Sequence, residues 1–210
     1  MTGTAASIRS RPDPAPCNAL AETASGLLVP EVLIGVNPGL TVTPPVDGDC
    51  PQTWRIGVDS AWAQTAPTDF LHSLTGASRA WEVVTELPTL VIPRAGVWEV
   101  TYQVRGVAQL PAPGAAAIDT GVVASLYKNG ALVPGTEALV IYHNEAALDQ
   151  GKQIQASACR QGMHAFVAGD TVRLGACRLG TSGTAAVVSN GDGRVSITAH
   201  WVAPEGDTPA

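Results

Sequence analysis

Along Trp98-Glu99-Val100-Thr101-Tyr102-Gln103-Val104-Arg105 the apolar residues fall on the even positions and the polar ones between them. A period of two sends successive side chains to opposite sides of an extended chain. The stretch therefore reads as a strand with one face in a core and the other facing out. The same alternation runs through Val195-Ser196-Ile197-Thr198-Ala199-His200-Trp201 and through Thr171-Val172-Arg173-Leu174-Gly175-Ala176. Val122 to Tyr127 and Leu139 to Tyr142 are rich in β-branched residues and read as more deeply buried strands. Asn129-Gly130 and Asp192-Gly193 are hairpin dipeptides that accept positive φ at low cost, and Gly169-Asp170 sits between two strands. Short strands with turn signals about every 8–12 residues predict an all-β sandwich or barrel. Glu145-Ala146-Ala147-Leu148 could form one helical turn, and no other segment carries a helical period.

The first part of the chain is different. Pro12, Pro14 and Pro16 favour an extended path, so residues 1–16 read as a flexible arm. Residues 17–78 hold short apolar pieces broken by Pro and Gly, among them Gly26 to Pro30 and Val32 to Ile34. Trp54, Trp62 and Phe70 give this part a little core, so it is expected to pack on something else as an anchoring region. The sandwich is expected over 79–204, with a short tail over 205–210.

At 45% apolar residues the chain can bury a proper core, and global disorder is excluded. Only 14% of residues are charged, against roughly 25% in ordinary soluble domains. Such a surface suits faces covered by neighbouring subunits, and it equally suits a genome rich in Ala, Gly, Val and Pro codons. The net charge is −6 and no run of Lys or Arg occurs, so nucleic-acid and membrane-surface binding lack an electrostatic footprint. The longest apolar run, Gly26 to Val36, is broken by Pro30 and Glu31 and falls short of the roughly 18 residues of a spanning helix. Met1 to Pro16 has no hydrophobic core of a secretory signal, so the expected route is cytoplasmic assembly and release by lysis.

Cys17 and Cys50 share the Pro-rich part, while Cys159 and Cys177 flank the Gly169-Asp170 turn. A hairpin there would bring the second pair together, so two disulfides and four free thiols both stay open. No C-x-x-C pair supports zinc. His72, His143, His164 and His200 lack the clustering of a metal or catalytic set, and no nucleophile, zincin or phosphate-loop motif occurs. Asp47-Gly48-Asp49 and Asn190-Gly191-Asp192 fit turns as well as they fit calcium. No catalytic residue, cofactor or metal is expected. Trp54, Trp62 and Tyr142 would stack on sugars if exposed, and otherwise pack in a core or between subunits.

Gly96-Val97-Trp98-Glu99-Val100-Thr101-Tyr102, then Leu126-Tyr127-Lys128-Asn129-Gly130, then Val167 to Leu174, and a closing strand ending at Trp201 together resemble the globular head of the tumour necrosis factor and complement C1q superfamily. The resemblance covers roughly residues 80–203 and lacks any collagen or coiled-coil stalk. Cys17-Asn18-Ala19-Leu20 with Gly26-Leu27-Leu28-Val29-Pro30 resembles segments leading into trimeric appendages of phages of actinobacteria. The resemblance implies a jelly-roll protomer in a threefold homotrimer, forming a minor tail or fibre protein of a virion. Asn18, Ala19, Leu20, Leu27, Leu28, Val29 and Pro30 would anchor it to other virion proteins. Loops holding Pro111, Pro113, His143 and Asn144 would face a receptor, such as a glycan of the host cell surface. Small or neutral outward positions such as Thr101, Gln103, Ser157, Gly175 and Cys177 tolerate burial against a sister subunit. A capsid-decorating protein of the same fold and a bacterial C1q-like ligand-binding module are the alternatives.

Overall fold

The computed structural model describes residues 21–23, 26–28, 40–44, 54–58, 60–110, 118–145 and 151–204. The chain divides into two compact units, Met1–Asp59 and Ser60–Ala210. In the first, β1 (Ala21–Thr23) pairs antiparallel with β2 (Gly26–Leu28), and β3 (Leu40–Thr43) pairs antiparallel with β4 (Arg55–Val58). Leu40, Trp54 and Ile56 are exposed.

The second unit holds β5 (Trp62–Gln64), β6 (Asp69–Leu74), β7 (Glu82–Val83), β8 (Leu90–Val91), β9 (Gly96–Gln109), β10 (Ile118–Lys128), β11 (Ala131–Leu132), β12 (Ala138–Glu145), β13 (Gln153–Phe166), β14 (Thr171–Leu179), β15 (Thr184–Asn190) and β16 (Ser196–Ala203). They form two six-stranded antiparallel sheets. In the long sheet, β13 pairs with β9 from end to end. On the other side of β9 lie β16 and then β15, flanked by β5 and β6. In the short sheet β10 is central. It pairs with β14 on one side and with β11 and β12 on the other, and β7 and β8 lie beyond β14. The chain passes from β9 to β10 and β12, returns to β13, crosses to β14, and returns to β15 and β16. The pair β9·β13 thus nests around β10·β12, the path of a jelly roll.

The even positions of β9 from Trp98 to Val104 are buried, as the alternation requires, and the odd positions of Val195 to Trp201 are buried likewise. They meet Val122, Ala124 and Leu126 of β10 and Val172, Leu174 and Ala176 of β14 in one core. The polar ends of buried aromatics are satisfied. Trp98 Nε1 donates to the Arg94 carbonyl at 3.1 Å. The Tyr102 hydroxyl reaches across the core to the Thr136 carbonyl at 2.6 Å, with the Ala124 carbonyl at 3.1 Å. Burial pushes the Tyr102 phenol up to about 12.

Three expectations change. The sandwich begins well before residue 79, because β5 and β6 are strands of the long sheet and Phe70 packs against its core. Asn129-Gly130, with φ of 50° and 83°, does close a hairpin, between β10 and β11. Gly169-Asp170 and Asp192-Gly193 do not close hairpins. The first carries the chain from β13 in the long sheet to β14 in the short one, and the second joins β15 to β16, which both pair with β9. A turn dipeptide fixes a local reversal of the chain, whereas the sheet that the next strand enters depends on partners far away in sequence.

The crossing turn is held by side chains instead. The Asp170 carboxylate is buried and accepts from Asn129 Nδ2 at 2.6 Å and from the Val167 N–H at 2.9 Å. It pairs with Lys128 Nζ at 3.0 Å. Asn129 Oδ1 in turn accepts from the Thr171 N–H at 2.8 Å. The hairpin in one sheet and the end of the other are thereby pinned together.

Candidate assembly face

Because alternate residues of each strand enter the core, the intervening ones make a continuous outer face on the long sheet. Cross-strand pairing aligns them in rows. Trp62, His200, Glu99 and Met163 form one row across β5, β16, β9 and β13. Gln64, Thr198, Thr101 and Gln161 form the next, followed by Ser196, which is itself buried, Gln103 and Cys159. Glu99 is the one carboxylate in these rows, and Gln161 Nε2 donates to its Oε1. Further along, an Arg105 guanidinium nitrogen donates to Gln155 Oε1 at 2.6 Å. No strand of this sheet contains a lysine. Trp62 is 70% exposed, Met163 50% and Val202 46%, and Leu71 of β6 is exposed as well. Apolar side chains of this size interspersed with neutral amides and hydroxyls resemble the centre of an interface more than a solvated face, where charge normally dominates.

The edge of the same sheet points the same way. Among the described residues β13 pairs with β9 alone, in an unbroken register of 14 residues from Gln153↔Gln109 to Phe166↔Gly96. It contains no proline, no lysine and no bulge, and its one charged side chain, Arg160, donates from Nε to the Gly135 carbonyl at 3.0 Å.

The residues singled out by sequence fall in several places. Cys17, Asn18, Ala19, Leu20, Val29, Pro30, Cys50, Pro111 and Pro113 lie outside the described residues. Leu27 and Leu28 belong to β2, opposite Glu22 and Ala21. His143 and Asn144 are not loop residues. They sit in β12 opposite Thr120 and Asp119, because β10 extends back to Ile118 and gives β12 a partner to pair with. Cys159 and Cys177 are free thiols on strands of different sheets, so the hairpin that would have joined them does not form. Cys159 is exposed on the outer face, whereas burial pushes the Cys177 thiol up to about 11.

Thr101, Gln103 and Ser157 do face outward on the long sheet. Gly175 and Cys177 are already covered by the chain itself. A Cβ on Gly175 would lie 2.3 Å from the Tyr127 ring, so that ring rests directly on the β14 backbone. The neutral face left open is therefore the long sheet's. Trp54, Trp62 and Tyr142 are all exposed, at 38%, 70% and 46%, which removes the sandwich core as their place.

The histidines are dispersed. His72 Nδ1 lies 2.7 Å from Glu86 Oε2. His164 points into the seam between the sheets, where burial and then the Lys128 charge lower its pKa, and His200 is exposed. Among the described residues no three His, Cys, Asp or Glu side chains gather as metal ligands, and no helix is long and apolar enough to cross a membrane.

These pairings define the sandwich as an all-β jelly roll. Among solved structures, one titled "Structure of Eiger TNF from S. frugiperda" is similar at 12% identity and a TM-score of 0.37, covering 72% of this chain and 98% of that one. No family model and no curated protein matches the sequence.

Proposed function

We propose that this chain is a structural protein of a bacteriophage virion, a minor tail or fibre component that forms a homotrimer. Its N-terminal unit docks on other virion proteins, and its jelly-roll head makes contact with the host surface. The observation that carries the reading is the outer face of the long sheet. Trp62, Met163 and Val202 stand exposed there among amides and hydroxyls, with Glu99 the one carboxylate in their rows, beside the long edge strand β13. A second and third copy would cover face and edge together. The threefold arrangement itself comes from the sequence resemblance to C1q-like heads, and the virion setting from the Asn18-Ala19-Leu20 and Gly26 to Pro30 strings. Three heads on one axis would add weak contacts through effective concentration, so attachment needs no tight single site. A capsid-decorating protein would differ only in where the N-terminal unit docks.

Light scattering of the native protein tests the assembly. A mass of three chains is expected, and Trp62→Glu with Met163→Glu should reduce it to one chain while the β-sheet circular dichroism is retained. A wild-type monomer at micromolar concentration would sink the trimer. Removing residues 1–59 should leave a head that no longer joins particles, since the sandwich starts at Ser60. A truncated head still found in purified particles would refute the docking role.

A further inference from the structure

The outer face of the short sheet carries a groove of about 290 Å³, lined by Ser78, Arg79, Asp119, Leu139, Tyr142, Leu179 and Gly180. Of its lining the sequence singles out Tyr142 alone, since the walls come from the segment before β7, the start of β10, β12 and the end of β14. Tyr142 forms one wall. It lies opposite Gly121, where a Cβ would come within 3.1 Å of its ring and 2.5 Å of the Ile141 carbonyl. The glycine thus lets the ring settle on the sheet, and the side chain remains 46% exposed. Leu139, 60% exposed, extends that apolar surface.

The rest of the lining is polar and held in place. Arg79 has a left-handed backbone, with φ of 64°, and its N–H donates to the Arg178 carbonyl at 2.8 Å. Ser78 Oγ accepts from the Gly180 N–H at 3.0 Å. Gly180, at φ 71°, lets the chain pass close beneath Asp119, whose Oδ1 is buried against it without a hydrogen-bond partner. An aromatic face, two leucines, a carboxylate and a guanidinium therefore share one shallow site.

That combination selects among ligand classes. A phosphate-bearing ligand would meet the Asp119 carboxylate, and a purely apolar segment would strand it and Arg79. A sugar ring presents C–H groups on one face and hydroxyls around its rim, so it can satisfy both parts. The volume lies at the small end of ligand sites, which suits a single ring. We infer that this groove binds one pyranose ring of a host-surface glycan, with Tyr142 and Leu139 against its C–H face and Asp119 and Arg79 bonded to its hydroxyls. The inference rests on the host-attachment reading and gives it a site. That site is on the other sheet from the proposed assembly face, so it stays accessible when Trp62 and Met163 are covered.

The test is saturation-transfer NMR on the full chain with the methyl pyranosides of glucose, galactose, mannose and N-acetylglucosamine as probes. At least one should receive saturation and shift the Leu139 and Leu179 methyl signals. Tyr142→Phe should retain binding, and Tyr142→Ala should weaken it about tenfold or more. Asp119→Asn, which keeps the shape of the side chain, should also weaken it, and Trp62→Ala should not. No saturation of any probe at millimolar concentration would overturn the inference, as would binding unchanged in both Tyr142→Ala and Asp119→Asn. Light scattering on the same sample separates the two readings. A trimer that ignores every sugar removes the groove alone, and a monomer that binds one removes the assembly alone.

Discussion

Replacing Asp170 should be among the most damaging single changes outside the apolar core. Its side chain is 5% exposed and accepts from Asn129, Val167 and Lys128 at 2.6, 2.9 and 3.0 Å. Hydrogen bonds to a charged group contribute about 1.5–3 kcal/mol each, and breaking a buried ion pair costs about 3–5 kcal/mol. Lys128 and Asn129 lie near the surface and regain water when the carboxylate goes, which lowers the loss. Asp170→Ala should therefore destabilise by about 2–4 kcal/mol, and Asp170→Asn, which keeps an acceptor for the Val167 N–H, by about 1–2 kcal/mol. Burial alone would raise this carboxyl's pKa, but the bonds from Asn129, Val167 and Lys128 outweigh burial and hold it below its usual 3.8. With the folded pKa depressed, the unfolded chain binds more protons between the two values. The contribution is then complete above the unfolded pKa and is lost as pH falls through the folded one. The assay is urea unfolding at fixed protein concentration, from neutral pH to below pH 3.8. The wild type should lose stability over the acid end more steeply than Asp170→Asn. A cost under about 0.5 kcal/mol for Asp170→Ala, the range of ordinary surface changes, or identical acid profiles, would refute the reasoning.

Three further outcomes follow from the packing and the outer face. Tyr102→Phe leaves the ring in the core but removes the hydroxyl that bonds the Thr136 carbonyl, so it should cost about 1–2 kcal/mol in the same unfolding assay; a neutral effect would mean that the cross-core bond contributes nothing. Thiol labelling mapped by mass spectrometry should modify Cys159 and spare Cys177 until the protein unfolds, because Cys177 is buried and its thiol is pushed up to about 11. Cys159 should label faster in the Trp62→Glu, Met163→Glu protein than in the wild type, and equal rates would count against a covered outer face.

The alternation in Trp98 to Arg105 and in Val195 to Trp201 settled which residues enter the core, because the side-chain period of a strand is a property of the local backbone. Asn129-Gly130 settled a hairpin for the same local reason. What the strands pair with was decided elsewhere. Gly169-Asp170 looks like any reversal, yet β13 joins β9 and β14 joins β10, so two cysteines that a hairpin would have brought together end up on different sheets. His143 and Asn144 read as loop because their own residue types carry no strand signal; they are strand because Thr120 and Asp119 lie beside them. Trp62 looked like core for a separate anchoring region and is instead an exposed residue of the sandwich's own sheet. The groove at Tyr142 joins residues from Ser78 to Gly180 that no spacing connects. Strand character and inward or outward facing are local and can be read along the chain, whereas sheet membership, covered faces and binding sites arise from long-range pairing that exists only once the two sheets close on each other.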